Sequence, residues 1–376
     1  MLLIEALFGF FLSLLLNALL IKYAFKIGLV DIPNHRSSHT KPVARGAGIA
    51  IFLSFLITVA IFRFDVIVDN PGFFIGVLIV FIAGVVDDKY EISPKTKFLF
   101  LIIATLFIYF LDDIKITYIG TYFGYTVYLY SWMVLPFTII AVVGYTNALN
   151  LIDGLDGLAG LISLIIFVSY FYIGYVHFDR FMMTVSFFMI VSLLGFLVFN
   201  WNPAKVFMGD SGSLVLGFTI AAISIKAIEY ISVTSILFLT ALPLIDTFTV
   251  MIRRLQRGIS PFTADKNHMH HRIKNWKDYV DYTVLMLGMI QLCFSLIGIR
   301  LHEQHDTMNL IIFIVMFFLF FNFLDPRNKR RQRLTITEIR LRIINFFEEM
   351  GFTINVAIGA FLFLLIVVLI VKLYYF

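Results

Sequence analysis

The chain has 376 residues, 60% of them hydrophobic and only 14% charged, with a formal net charge of +5 and a mean hydropathy of +0.94. A soluble domain carries about a quarter charged residues, so this composition excludes an ordinary soluble protein and predicts an all-α polytopic membrane protein. Cys293 is the only cysteine, which excludes an intrachain disulfide.

A spanning helix needs roughly 20 mostly apolar residues. Runs of this kind are predicted at 2–25, 46–63, 72–86, 97–111, 131–149, 158–176, 181–199, 211–228, 232–252, 281–300, 307–324 and 354–373. That gives about eleven to twelve transmembrane helices. The first run is too long for a signal-peptide core and lacks a small-residue cleavage pattern, so it reads as an anchor. The run at 72–86 is short and open to a re-entrant reading, whereas 232–252 reads as one span. Ile114 to Tyr130, rich in Tyr, Thr and Val around Gly124, predicts a small β-hairpin on the extracytoplasmic side. Residues 1–325 form the expected main transmembrane domain. Residues 326–376 add the basic cluster "PRNKRRQR", an amphipathic stretch at 334–350 and an extra span.

The loops at 26–45, 87–96, 150–157, 200–210, 253–280 and 325–353 hold most of the Lys and Arg, and the opposite loops offer little beyond Arg63, Lys115 and Arg180. The positive-inside rule places the first set in the cytoplasm. Every unusual polar cluster falls in that same set: "DIPNHRSSHTKPVARGAG", "DDKYEISPKTK", "NLIDGLDG", "NWNPAKVFMGDSGS" and "DKNHMHHR". Such segregation predicts one composite site at the cytoplasmic membrane surface.

Asp87 and Asp88 end an apolar run; adjacent carboxylates raise each other's pKa unless a cation or donor intervenes. They read either as a solvated helix end or as metal or proton-handling groups. Lys97 follows nine residues on, close enough to return as a point charge for phosphate. Asn150, Asp153 and Asp156 are spaced three apart, with Asn147 preceding them and Gly154 and Gly157 each following an aspartate. That pattern gives convergent oxygens and close backbone approach. An EF-hand would need a late Glu that is missing. Asp210 sits in a glycine-flanked loop whose amides suit an anion. Phe207 beside it offers a ring for stacking a base or for anchoring at the membrane interface. "HMHH" raises a zinc reading, but the thiol and carboxylate partners are absent and Arg272 follows directly. A hydrogen-bonding cationic loop suits a diphosphate better. Carboxylates for Mg²⁺, cations for phosphate and an aromatic for a base together form a toolkit for phosphoryl transfer. The competing reading is a membrane cation transporter, which predicts acids near span midpoints; Asp246 is the main residue so placed.

These motifs, taken in order, resemble those of the polyprenyl-phosphate N-acetylhexosamine-1-phosphate transferases over residues 28 to 300. The D-x-P-N-x-R-x-x-H pattern and "HMHHR" are similar to the bacterial O-antigen and teichoic-acid branch. The resemblance implies transfer of N-acetylhexosamine 1-phosphate, by default GlcNAc-1-phosphate, from a UDP-N-acetylhexosamine to undecaprenyl phosphate with release of UMP. It implies Mg²⁺, with Mn²⁺ as the alternative, held by Asp210 and Asn150. Asp87, Asp88, Asp153 and Asp210 then match catalytic positions. Lys97, Arg45, Asn147, Asn150, Leu155, Asp156, Phe207, His268, His270, His271 and Arg272 match substrate-binding ones. The implied partners are the two substrates and the lipid bilayer; a homodimer is left open, and nucleic acid is not among them. The implied location is the bacterial cytoplasmic membrane, with the site facing the cytoplasm. Ala47 stands where relatives often carry a second glycine.

Overall fold

The computed structural model describes residues 2–33, 41–258, 260, 269, 280–301 and 306–323. The chain falls into two compact units, Ile4–Phe317 and a second made of Met1–Leu3 with Phe318–Phe376. The histidine motif other than Met269, and the whole of 326–376, lie outside the described residues.

Among the described residues, eight helices are long and apolar enough to cross a membrane. They are α1 (Leu2–Ile27), α4 (Pro71–Tyr90), α5 (Pro94–Leu111), α6 (Ser131–Ile152), α7 (Leu158–Val176), α8 (Arg180–Asn200), α9 (Gly209–Ala227) and α12 (Val280–Arg300). Two shorter apolar helices, α2 (Gly48–Phe62) and α13 (Asp306–Phe323), and a short α3 (Phe64–Asp69) join them. The helices α10 (Val233–Leu239) and α11 (Ala241–Gln256) form one pair bent by 86°. Eleven of the twelve expected runs therefore correspond to helices or to this pair, and the twelfth lies outside the described residues. The run expected at 72–86 is not re-entrant: it belongs to an unbroken helix that carries Asp87 and Asp88 in its last turns.

The centre of the bundle is α9, which is almost wholly buried and packs against α2, α4, α6 and α7. Lipid tails are as apolar as leucine, so close approach in a membrane comes from small residues. Gly48 on α2 lies against Gly212, and a Cβ there would sit 2.0 Å from the Gly212 nitrogen. Gly84 on α4 meets Ser211, with its missing Cβ 2.5 Å from the Ser211 Cα. Both glycines press their helices onto the first turn of α9. A three-stranded sheet ties the same turn to the N-terminal region: β1 (Val30–Asp31), β2 (Val43–Arg45) and β5 (Val206–Phe207) run in the order β1-β2-β5. The β2–β5 pair is parallel, with Ala44 opposite Val206 and Arg45 opposite Phe207. Ala47 is fully buried and its N–H donates to the Phe207 carbonyl at 3.0 Å, so this loop packs without a second glycine.

The expected hairpin is present as β3 (Tyr118–Tyr122) and β4 (Tyr125–Tyr128), turning through Phe123 and Gly124 at positive φ. It sits at the C-terminal end of α9, where the Tyr118 hydroxyl donates to the Ile228 carbonyl at 2.8 Å. Asp306 joins it to the helices, accepting from the Thr121 N–H at 2.7 Å and the Thr234 N–H at 2.9 Å.

The run 232–252 is not one continuous helix, because it breaks at Thr240. A break inside a membrane frees backbone groups that cost several kcal/mol each in hydrocarbon. Gln291 of α12, fully buried, answers both sides of it. Its Oε1 accepts from the Leu242 N–H at 3.0 Å, and its Nε2 donates to the Leu239 carbonyl at 2.8 Å. Gln291→Leu strands both groups, and each buried unsatisfied group costs about 1–3 kcal/mol. The expected result is a clear fall in unfolding temperature in detergent.

Candidate active site

The site is assembled around the N-terminus of α9. Helix α4 ends where Glu91 takes up a left-handed conformation (φ 52°) and its N–H returns to the Asp87 carbonyl at 2.9 Å. Ser93 then caps α5, accepting from the Thr96 N–H at 3.2 Å, with Pro94 at the first helical position. This tight reversal brings Lys97 back over Asp87. The Lys97 ammonium lies 2.6 Å from Asp87 Oδ2 and 2.5 Å from Asp210 Oδ2, bridging the two carboxylates. Asp87 also accepts from the Ile92 N–H through its other oxygen, at 2.9 Å.

Asp88 does something different from its neighbour. Its carboxylate accepts from the Asp210 N–H at 2.7 Å, the Ser211 N–H at 3.0 Å and the Ser211 hydroxyl at 2.6 Å. It serves as an anionic cap, supplied by α4, on the positive end of α9. A Cβ on Gly209 (φ 72°) would fall 2.5 Å from Asp88 Oδ2, so both the backbone angle and the space demand glycine there. Arg45 closes the other side, with Nε 3.0 Å from Asp88 and Nη2 3.3 Å from Asp210. Burial alone would lower the Arg45 pKa, but Asp88 and Asp210, aided by Asp31 and Asp87, more than reverse this.

The loop between α6 and α7 forms a third wall. Asn150, in the last turn of α6, donates its amide nitrogen to Ser213 Oγ at 2.8 Å, which turns its carbonyl oxygen the other way. Asp153 caps α6. Its residue surface is only partly covered, yet protein packs densely around the carboxyl. Burial, and then the charge of Asp210, push that carboxyl up to about 7. Asp156 accepts from the Ala204 N–H at 3.0 Å. Gly157 donates to Asn200 Oδ1 at 2.9 Å, and Asn200 in turn donates to the Val206 carbonyl at 2.8 Å. The α6–α7 loop is thereby fastened to β5. Leu155 is buried, and Asn147 and Phe207 are partly exposed.

The structure thus brings Arg45, Asp87, Asp88, Lys97, Asn150, Asp153 and Asp210 into one cluster. His268, His270, His271 and Arg272 lie outside the described residues. Sequence reasoning missed Asn200, Ser211 and Ser213, the polar residues that bind the walls together; the only signal was their place beside the glycine motifs.

No group of three metal-ligating side chains is present among the described residues. The donor chemistry nevertheless fits Mg²⁺, which takes one or two carboxylates and leaves the remaining positions to substrate phosphate and water. Four carboxylates here face two cationic side chains, and a divalent cation answers that excess.

These features define a multi-spanning helical membrane protein with a charged site at one end of its bundle. Glycosyl transferase family 4 matches residues 70–228, the stretch that runs from α4 to α9. A probable undecaprenyl-phosphate N-acetylglucosaminyl 1-phosphate transferase of Bacillus subtilis (strain 168) is 32% identical over 311 residues, covering 81% of this chain and 87% of the relative. The undecaprenyl-phosphate alpha-N-acetylglucosaminyl 1-phosphate transferase of Escherichia coli (strain K12) is 30% identical over 319 residues, covering 80% and 84%. The Yersinia pestis protein of that name is 29% identical over 321 residues, covering 80% and 85%. The chain belongs to the polyprenyl-phosphate N-acetylhexosamine-1-phosphate transferase family.

Proposed function

We propose that the protein transfers N-acetylhexosamine 1-phosphate, GlcNAc-1-phosphate by default, from a UDP-sugar to undecaprenyl phosphate. The product, a polyprenyl-diphosphate sugar, would initiate a cell-surface polysaccharide. The bias of Lys and Arg toward the site's own loops supports a cytoplasmic orientation. The observation that carries the reading is the Lys97 ammonium held between Asp87 and Asp210, with Arg45 on the far side. This is a preorganised pair of cations for phosphate oxygens.

In this reading an oxygen of the lipid phosphate attacks the β-phosphorus of the UDP-sugar. A new P–O bond forms, the P–O bond to the UMP phosphate breaks, and the electron pair leaves with UMP. Lys97 orients the lipid phosphate and Arg45 the diphosphate, and Phe207 stacks on uracil. Asp210 and Asn150 would hold Mg²⁺, which when bound neutralises charge building on the diphosphate. Direct attack by the lipid phosphate needs no covalent enzyme intermediate.

Membranes containing the protein, supplied with UDP-N-acetylhexosamines, undecaprenyl phosphate and Mg²⁺, are expected to release UMP and form lipid-linked sugar. Failure with every UDP-N-acetylhexosamine tested would sink the proposal. The site also predicts a pH dependence. Because the folded-state pKa of Asp153 is raised to about 7, its carboxyl holds a proton below that pH and is an anion above it. Protons then compete with cations for the cluster. The Mg²⁺ concentration giving half-maximal turnover is expected to rise as pH falls through 7, and Asp153→Asn is expected to flatten that dependence.

A further inference from the structure

The hairpin of β3 and β4 takes no part in the site, and its two strands have very different surroundings. Strand β3 is fastened to the bundle through the Tyr118 hydroxyl and the Thr121 N–H. At the turn, the Phe123 N–H donates to the Thr307 hydroxyl at 2.8 Å. Strand β4 is exposed along its whole length. Phe123, Tyr125, Tyr128, Tyr130 and Trp132 all face outward, from 71% exposed at Tyr128 to 83% at Phe123. An apolar surface of this kind marks a membrane or protein contact.

Two observations choose the membrane. Trp132 lies in the first turn of α6 and opens an exposed apolar face that continues through Phe137 and Ile140. That helix is long and apolar enough to span, so the aromatics stand where its lipid-facing side begins. The chain also carries no charged residue between Lys115 and Asp153. An interface for a water-borne protein has a polar rim, whereas uncharged Tyr and Trp collect at the level of lipid headgroups. The depth is limited as well. Among the described residues the sheet has only two strands, which leaves β4 an open edge. Open backbone edges are not tolerated in hydrocarbon, so this strand belongs among headgroups and water.

We propose that the outward face of the hairpin is an interfacial anchor in the leaflet opposite the site, and that it sets the depth at which the site is held. The second part rests on the reading of the acceptor as a lipid phosphate. Helix α9 carries Asp210 in its first turn and meets Tyr118 through Ile228, its C-cap. Its 19 residues rise roughly 28 Å, close to the thickness of the hydrocarbon core. Aromatic anchors help to set the height and tilt of spanning helices. Holding one end of α9 at one interface therefore places the other end at the phosphates of the opposite leaflet.

The test attaches a spin label at Phe123→Cys, Tyr125→Cys or Trp132→Cys in a Cys293→Ser background. Each full-length protein is reconstituted in vesicles of phosphatidylethanolamine and phosphatidylglycerol. Collisions of the label with oxygen, which concentrates in lipid, are compared with collisions with a water-borne nickel chelate. All three labels are expected at headgroup depth, with Trp132→Cys the deepest. Full access of the chelate to all three would overturn the anchor and leave the face to an aqueous partner. The depth effect is read in the triple variant Phe123→Ser, Tyr125→Ser, Trp132→Ser. In vesicles its KM for undecaprenyl phosphate is expected to rise at least about fivefold, with KM for the UDP-sugar unchanged. In detergent, where no leaflet exists, it is expected to match the wild type. An unchanged KM in vesicles, or an equal loss in vesicles and detergent, would overturn the depth role. The label positions need no turnover, so a failure of the proposed reaction would leave the anchor tested on its own.

Discussion

Asp210→Asn is expected to reduce UMP release by more than about a thousandfold while the protein still inserts and purifies as a folded species. The side chain occupies the meeting point of the site, where Lys97 reaches it at 2.5 Å and Arg45 at 3.3 Å. Its backbone N–H is meanwhile held by Asp88. Asparagine preserves the backbone bond and nearly the same shape. It removes the charge that both cations answer and that a divalent cation requires. The substitution therefore separates chemistry from folding. Full activity in Asp210→Asn, measured as lipid-linked sugar formed per folded molecule, would refute its assignment as the central metal-binding carboxylate.

The second large effect is expected at Asp88, and it is of another kind. Asp88→Ala removes the acceptor for two backbone N–H groups, one hydroxyl and the Arg45 guanidinium. Breaking one side of a buried ion pair costs about 3–5 kcal/mol. The unfolding transition in detergent is therefore expected to drop markedly, with turnover lost because Asp210 is no longer held. Asp88→Asn keeps one acceptor oxygen and is expected to recover part of both. At Asp87, by contrast, the Asn substitution is expected to leave stability near wild type while reducing turnover, because Asp87 meets α9 through the side chains of Lys97 and Asp210 and caps none of its backbone N–H groups. Equal unfolding temperatures for the Asp87 and Asp88 variants would contradict this division of labour.

That division was not legible in the sequence, where the two aspartates form one feature. Successive residues on a helix point roughly 100° apart, so neighbours in the chain meet different partners. Only the packing of α4 against α9 says which is which. The spans themselves were legible, because a run of apolar residues at membrane length has few other uses. The end of α4 is hidden in the sequence, because Asp87, Asp88 and Lys89 look like a loop although they complete the helix. The break at Thr240 hid inside a run apolar on both sides. Pro243, three residues on, was its available signal, since proline suits the first turn of a new helix. The sheet formed by β1, β2 and β5 could not be read, because strands of two or three residues carry no periodicity. Asp87, Asp88, Lys97, Asn150 and Asp210 come together because each sits in an end turn of a helix, a placement to which the ends of the apolar runs point.

The bond from Asp88 to α9 has a consequence for how the protein is made. Its two ends are 122 residues apart in sequence. At 5–20 residues per second the ribosome needs roughly 6–24 s to cover that distance. During that interval α4 has already emerged with two adjacent carboxylates, and the helix that one of them caps has yet to be synthesised. Lys97 arrives within a second or two and can neutralise Asp87, and Arg45 is already made, whereas the N–H and hydroxyl donors that Asp88 caps are missing until the nascent chain reaches Ser211. Completion of the bundle is coupled in time to closure of the charged site.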